Sequence, residues 1–286
     1  MRSSRWLPTF LAVAVVLAAG TTAPGADPFP GPLPGTDIGA GLPAGYEPSD
    51  DVWHPRLKKL FLVGDGGTVT QMNPDGTNIV NWNVGGDLEG ITYADPSTDT
   101  LYLGIEHPDG IRPFDLTTGI AGRTFDLTAW MTGPDNSGLE ALTFVPDAGD
   151  PEGGLFWAGL QNDGKIYVFR LSIRSSATAT IVTPVTTLTP APGVTDISGL
   201  AYNPTNGLVY AIFDTANLLL AMRTDGTVIG RWDLPGNDQE GIAIRGCTMF
   251  IAEDTAGVGH EVWSYPKAVV PDCVSPVTDL KRLDRH

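Results

Sequence analysis

The sequence predicts an all-β fold, a five-bladed β-propeller built from four-stranded antiparallel blades. Three observations predict it: a short phrase written five times, the spacing of its copies, and the β-rich runs and tight turns that follow each copy. The phrase reads Ser49-Asp50-Asp51-Val52-Trp53, Glu89-Gly90-Ile91-Thr92-Tyr93, Glu140-Ala141-Leu142-Thr143-Phe144, Ser198-Gly199-Leu200-Ala201-Tyr202 and Glu240-Gly241-Ile242-Ala243-Ile244. Each copy opens on Ser or Glu and carries an aromatic or aliphatic residue four places on. The five lead positions lie 40, 51, 58 and 42 residues apart. Propeller blades repeat at about 40–50 residues.

The same events recur within each repeat. The lead phrase is a short apolar strand. A polar turn follows, and Pro55, Pro96, Pro146 and Pro204 mark it in four copies. Next comes a second apolar run, such as Leu60-Phe61-Leu62-Val63, Leu101-Tyr102-Leu103-Gly104-Ile105 or Leu208-Val209-Tyr210-Ala211-Ile212-Phe213. A third strand follows a Gly- or Asp-containing turn, as at Lys165-Ile166-Tyr167-Val168-Phe169-Arg170 and Leu218-Leu219-Leu220-Ala221-Met222. A fourth is visible at Ile79–Trp82, Arg123–Asp126 and Val228–Trp232. Asp-Gly pairs at 75–76, 109–110, 163–164 and 225–226 support tight hairpins between β-rich runs. No long window beyond the first twenty residues shows helical periodicity. The fifth repeat is short of a strand. Its third strand falls at Glu261–Tyr265, and its outer edge is completed either by the segment Lys267–Val270 or by the stretch before Ser49.

Residues 1–20 read as a secretory signal: Arg2 and Arg5, then the apolar run Leu7–Ala19 and the small residues Ala18-Ala19-Gly20. The run is too short for a membrane span, and a secreted protein, extracellular or periplasmic, is expected. Residues 21–48 are rich in Pro and Gly and are expected to form an extended leader lying loosely on the flank of the domain. The propeller is expected over 49–273 and a C-terminal tail over 274–286. The formal charge is −16, and removing the two arginines of the signal takes it to −18. So acidic a surface disfavours nucleic acid and anionic lipid and suits cations. A monomer is expected. Cys247 and Cys273 are the two cysteines. In an oxidising compartment they form one disulfide, closing a loop of about 26 residues worth about 3 kcal/mol; two free buried thiols are the alternative.

The first strand of each blade lines a propeller's channel, so equivalent residues converge on one axis. Ser49, Glu89, Glu140, Ser198 and Glu240 therefore share a layer. Carboxylates this close must take up protons or hold a cation. An all-oxygen set without Cys or His suits Ca²⁺ over Zn²⁺, while Mg²⁺ prefers a tight octahedron with several waters. A polar channel wall filled only by water is the alternative. A second set, Asp65, Glu106, Asp214 and Asp254, with Gln161 at the matching place in the third copy, follows the second strands near one channel mouth. These residues either bind a substrate or second cation, or cap local turns.

The order Ser, Glu, Glu, Ser, Glu resembles the channel calcium ring of the calcium-activated nucleotidase (apyrase) propellers. The Leu88-Glu89-Gly90-Ile91 phrasing, with Leu60-Phe61-Leu62-Val63-Gly64-Asp65, is more similar to the SdiA-regulated bacterial envelope proteins. The resemblances span roughly residues 49–265 and imply that Ser49, Glu89, Glu140, Ser198 and Glu240 ligate calcium. The apyrase stretch Asp-Asp-Arg-Thr-Gly is absent; this chain reads Gly64-Asp65-Gly66-Gly67-Thr68 there.

No nucleophile elbow, zincin motif or Walker loop is present. His54 and His107 read as surface residues of blade turns. Trp130 reads either as packing or as facing a ligand. Three functions fit: a calcium-riveted binding protein for a small molecule or envelope component, a calcium-dependent hydrolase of phosphate esters or anhydrides, and a metal-dependent lactonase or esterase. Five lead phrases and unmatched Asn and Asp ligands weigh against the third.

Overall fold

A computed structural model describes residues 25–255 and 259–269. The described strands are all antiparallel and form five sheets, with no α-helix among them. The first strand, β1 (Thr36–Asp37), precedes the first lead phrase. Blade 1 then holds β2 (Pro48–His54), β3 (Lys59–Gly64), β4 (Thr68–Met72) and β5 (Val80–Asn83). Blade 2 holds β6 (Leu88–Thr92), β7 (Thr100–Ile105) and β8 (Gly110–Asp115). Its outer edge is split into β9 (Ile120–Ala121) and β10 (Phe125–Asp126), both paired to β8. Blade 3 comprises β11 (Leu139–Pro146), β12 (Gly154–Leu160), β13 (Lys165–Leu171) and β14 (Val182–Leu188). Blade 4 comprises β15 (Ile197–Asn203), β16 (Leu208–Phe213), β17 (Leu218–Met222) and β18 (Val228–Asp233). Blade 5 holds β19 (Gln239–Arg245), β20 (Thr248–Thr255) and β21 (Gly259–Pro266).

The fifth blade is completed from the other end of the chain. β1 pairs with β21 through Thr36↔Ser264 and Asp37↔Trp263. The stretch before Ser49 thus supplies the missing outer strand, and the ring closes on a non-local pairing. The expectation of a loosely lying leader is corrected here. Ile38, Leu42 and Tyr46 are buried in the core between blades 5 and 1, and Phe29 meets the Tyr265 ring edge-on at 4.9 Å. The prolines prevent a long ladder but leave room for two paired residues, and the apolar side chains between them supply the packing.

The core lies in the seams between blades. Side chains alternate along a strand, so Leu60 and Leu62 of β3 enter the seam with blade 5, while Phe61 and Val63 enter the seam with blade 2. Burial on both faces explains why the second strand of each repeat reads as an unbroken apolar run. Five apolar clusters result, one for each seam. Removing the ring of Phe61, which is 0% exposed, would cost about 3–5 kcal/mol.

Close approach of neighbouring inner strands explains the small residue after most leads. A Cβ on Gly241 would lie 2.7 Å from Asp50 Cα across the seam between blades 5 and 1, and one on Gly90 would lie 2.6 Å from Leu142 Cβ. Hydroxyls tie the seams on either side of blade 3. Thr92 Oγ1 accepts the Phe144 N–H at 3.1 Å, and Thr143 Oγ1 accepts the Tyr202 N–H at 2.9 Å.

The signal, Cys273 and the tail at 274–286 lie outside the described residues. Cys247 is exposed in the turn between β19 and β20. Among the described residues no helix is long and apolar enough to cross a membrane.

Candidate metal centre

Each inner strand slips by one residue against its neighbour, and the slip falls on the lead position every time. The register jumps between Pro48 and Asp50, Leu88 and Gly90, Leu139 and Ala141, Ile197 and Gly199, and Gln239 and Gly241. Ser49, Glu89, Glu140, Ser198 and Glu240 are therefore the five unpaired residues of five β-bulges. A bulge bends its strand and re-aims the side chain it carries. A second regularity sits beside it. The N–H groups of Asp65, Glu106, Gln161, Asp214 and Asp254 each donate to the carbonyl two places before a lead, on Glu47, Asp87, Gly138, Asp196 and Asp238, at 2.9–3.2 Å. The residue after β3, β7, β12 and β16, and Asp254 near the end of β20, are thus held at the same height in their blades, with Gln161 at that place in the third.

These two layers open onto a chamber of about 250 Å³ at one end of the channel. Ser49, Glu89, Glu140 and Glu240 line it from the lead layer, and Asp65, Glu106 and Asp254 from the second. Two expected members stand apart. Ser198 is 1% exposed and donates its hydroxyl to the Gln239 carbonyl at 2.6 Å, and Asp214 Oδ1 accepts the Gln239 N–H at 3.0 Å. Neither lines the chamber. Two acids absent from the sequence expectation do: Glu47 and Asp87. Both stand two places before a lead, where Asp196 and Asp238 also stand. An acid at that phase in four of five copies was the available signal.

No Lys, Arg or His lines this chamber, so the acids meet one another without a countercharge. Burial, reinforced by Asp87 and Asp65 and opposed by the Ser49 hydroxyl, pushes Glu89 up to about 9. Burial, with Glu89, Glu106 and Glu240 adding, pushes Glu140 up to about 11. Burial and then Asp214, Asp196, Asp254 and Asp238 push Glu240 up to about 8. Asp65 is raised chiefly by sharing a hydrogen bond with Asp87. Carboxylate oxygens of Asp65, Asp87 and Glu89 lie within 4.8 Å of one another. Like charges held this close are relieved by protons or by a cation. The donors are oxygens alone, the set that hard cations such as Ca²⁺ take.

Asp50 forms the floor beneath the ring. It is fully buried, and its carboxylate accepts the N–H groups of Asp51 and Ile91 at 2.8 Å each, together with that of Ile242. One side chain from blade 1 thus joins the backbones of blades 1, 2 and 5. Burial raises its carboxyl well above the ordinary range, and the Ile91 N–H opposes this.

The remaining candidates resolve into packing and surface. His54 is corrected from a surface residue to a buried one. It is 0% exposed, its ring lies 5.1 Å from that of Tyr93, and its Nδ1 accepts the Leu57 N–H at 3.3 Å. It closes β2 and so falls in the seam between blades 1 and 2. His107 is exposed, 3.7 Å from Asp135. Trp130 meets the Phe169 ring edge-on at 5.6 Å, as packing.

Two family models match separate parts of the chain. Residues 60–166 match the phytase-like model, described as esterase-like activity of phytase, and residues 175–256 match the SdiA-regulated model. The resemblance to SdiA-regulated proteins is thus met in the second half of the propeller. No curated protein matches. Solved structures align with the chain. Glutaminyl cyclase of Myxococcus xanthus aligns with 14% identity and a TM-score of 0.51, over 77% of this chain and 90% of that one. Hydrazine synthase of Kuenenia stuttgartiensis aligns at 12% identity and 0.45, over 82% of this chain and 58% of its own. The Myceliophteria thermophila Cps50 (Swd1) β-propeller domain aligns at 10% and 0.46, over 74% and 64%. The chain thus spans less than two thirds of the latter two.

Proposed function

We propose that this chain is a secreted calcium-binding β-propeller whose acidic chamber holds Ca²⁺, and that it serves as an extracellular or envelope binding protein. The observation that carries this reading is the convergence of Glu89, Glu140 and Glu240, each on a bulge, in a chamber lined by no cationic side chain. Ser49, Glu89, Glu140 and Glu240 would hold the ion. Ser198, outside the chamber lining and with its proton donated to Gln239, would support the ring by holding that carbonyl. The ion would act as a rivet across the blades, because its ligands come from separate inner strands. The Cys247–Cys273 disulfide, the exported location and a monomeric state are part of this proposal. Mass spectrometry of the exported protein under non-reducing conditions tests the first two, and sedimentation tests the third. A formal charge of −16 would disfavour a nucleic-acid partner, and none is proposed.

A second reading is supported by the phytase-like match over residues 60–166. In it the same chamber hydrolyses phosphate esters or anhydrides. Bound Ca²⁺ would supply polarisation of a phosphoryl oxygen and a more acidic water. The chain's own acids would orient that water and accept its proton. The two readings separate in one screen of the purified protein with phosphomonoesters, nucleoside di- and triphosphates and simple lactones, each with Ca²⁺ or chelator. The binding reading expects calcium-dependent heat resistance and no turnover. Calcium-dependent release of phosphate that is lost in Glu140→Gln would establish the second.

A further inference from the structure

The end of the channel opposite the acids is built from different chemistry. A cavity of about 380 Å³ lies there. Its rim is formed by the residues four places after each lead: Trp53, Tyr93, Phe144, Tyr202 and Ile244. Pro55, Pro96, Pro146 and Pro204, the prolines that end four of the inner strands, line it as well. Its inner wall comes from the residues two places after the lead. In blades 2, 4 and 5 these are Ile91, Leu200 and Ile242; in blade 1 the same place is Asp51. The acidic chamber shares no lining residue with this cavity, and Asp50 stands between them.

Asp51 has no scaffold task that the structure shows. It is 1% exposed, and neither carboxyl oxygen has a hydrogen-bond partner. A polar group buried without a partner costs stability, whereas the aliphatic residue used by the other blades would not. Its neighbour Asp50 has the opposite character, with three backbone N–H groups on its carboxylate. A second orphan lies on the far wall: Asn203 Nδ2, in a residue 2% exposed, also lacks a partner. An unsatisfied pair of this kind in an otherwise apolar cavity is what a ligand's polar head would complete.

We infer that this cavity binds a small hydrophobic amine, its apolar body against the aromatic rim and its ammonium group donating to Asp51. An ammonium brings three donors and no acceptor, matching two bare acceptor oxygens. The faces of Trp53, Tyr93 and Tyr202 favour cations, and Arg245 already lies over the Trp53 ring, 5.2 Å from its centre. The field of an acidic chain draws cations toward its channel. Asn203 suits an amine that also carries a hydroxyl or carbonyl.

The test is a calorimetric titration of the calcium-saturated full chain with 2-phenylethylamine, 2-phenylethanol and 3-phenylpropionate, molecules of like size that differ in the head group. The amine is expected to bind saturably, the alcohol roughly ten- to a hundred-fold more weakly, and the carboxylate not at all. Asp51→Asn is expected to lower amine affinity by about the same factor while melting no lower than the parent. Equal binding of amine and alcohol by the parent protein overturns the proposal without need of any variant. So do an unaltered amine affinity in a folded Asp51→Asn and absence of saturable amine binding.

Discussion

Ser198 donates its hydroxyl to the carbonyl of Gln239, 2.6 Å away across the seam between blades 4 and 5. The donor belongs to the ring of lead residues, and the acceptor sits immediately before the next lead, Glu240. This bond to a backbone carbonyl distinguishes Ser198 from Ser49, the other hydroxyl of the ring, which meets the Glu89 carboxyl instead. Ser198→Ala should therefore cost stability, about 1–2 kcal/mol for a buried carbonyl left unpaired. Its effect on calcium affinity should be smaller than that of Glu140→Gln. Urea denaturation beside calcium titration of the two variants checks the contrast.

Asp50 should be the more costly residue to lose. Its carboxylate satisfies the N–H groups of Asp51 and Ile91, with that of Ile242 as a third. Asp50→Ala orphans all three inside the channel, and a loss of about 3 kcal/mol or more is expected in urea denaturation. A loss below about 1 kcal/mol would mean that water replaces the carboxylate there.

The threonine ties between blades should be modest and coupled. Thr143→Val leaves the Tyr202 N–H without its 2.9 Å acceptor. Thr92→Val does the same to Phe144. Each should lower stability by about 1–2 kcal/mol, and the pair should depart from additivity, because the N–H that Thr92 holds belongs to the peptide joining Thr143 to Phe144.

The acids give a signed pH dependence. Glu89, Glu140 and Glu240 are raised by burial, to about 9, about 11 and about 8. In the unfolded chain they ionise near pH 4–5. A carboxyl with a raised folded value binds its proton more tightly when folded, so its stabilising contribution is complete below the unfolded value and is lost as pH rises through the folded one. Metal-free protein should accordingly lose stability between about pH 5 and about pH 11. Calcium should offset the loss, and its affinity should climb over the same range because binding releases protons. Thermal melts at several pH values, with chelator or with calcium, measure both.

Much of the architecture was legible in the chain because each inner strand repeats its lead residue, and the repeat marks the same height in every blade. The convergence of Glu89, Glu140 and Glu240 follows from that phase alone. The bulges were not legible: an extra residue leaves no compositional mark when the strand on either side continues apolar. The acids at Glu47, Asp87, Asp196 and Asp238 were overlooked because Gly138 interrupts their series and they precede the phrase. Asp50 and Asp51 looked like ordinary variation within one copy, since their neighbours in space come from other blades. The two-residue strand Thr36–Asp37 lies between prolines that suggest open chain, and its partner is more than two hundred residues away. His54 was misplaced for the same reason, because its burial depends on Phe61 and Tyr93 of a strand and a blade not adjacent in the phrase.

Calorimetric titration of chelator-treated protein with Ca²⁺ at pH 8, run in parallel on Glu140→Gln, bears most directly on the acidic chamber. Saturable binding by the parent protein is expected, with affinity at least about tenfold weaker in the variant, since one charged ligand is removed. Absence of saturable heat from the parent, or identical isotherms for the two proteins, would contradict a calcium site built on the four bulged residues that line the chamber.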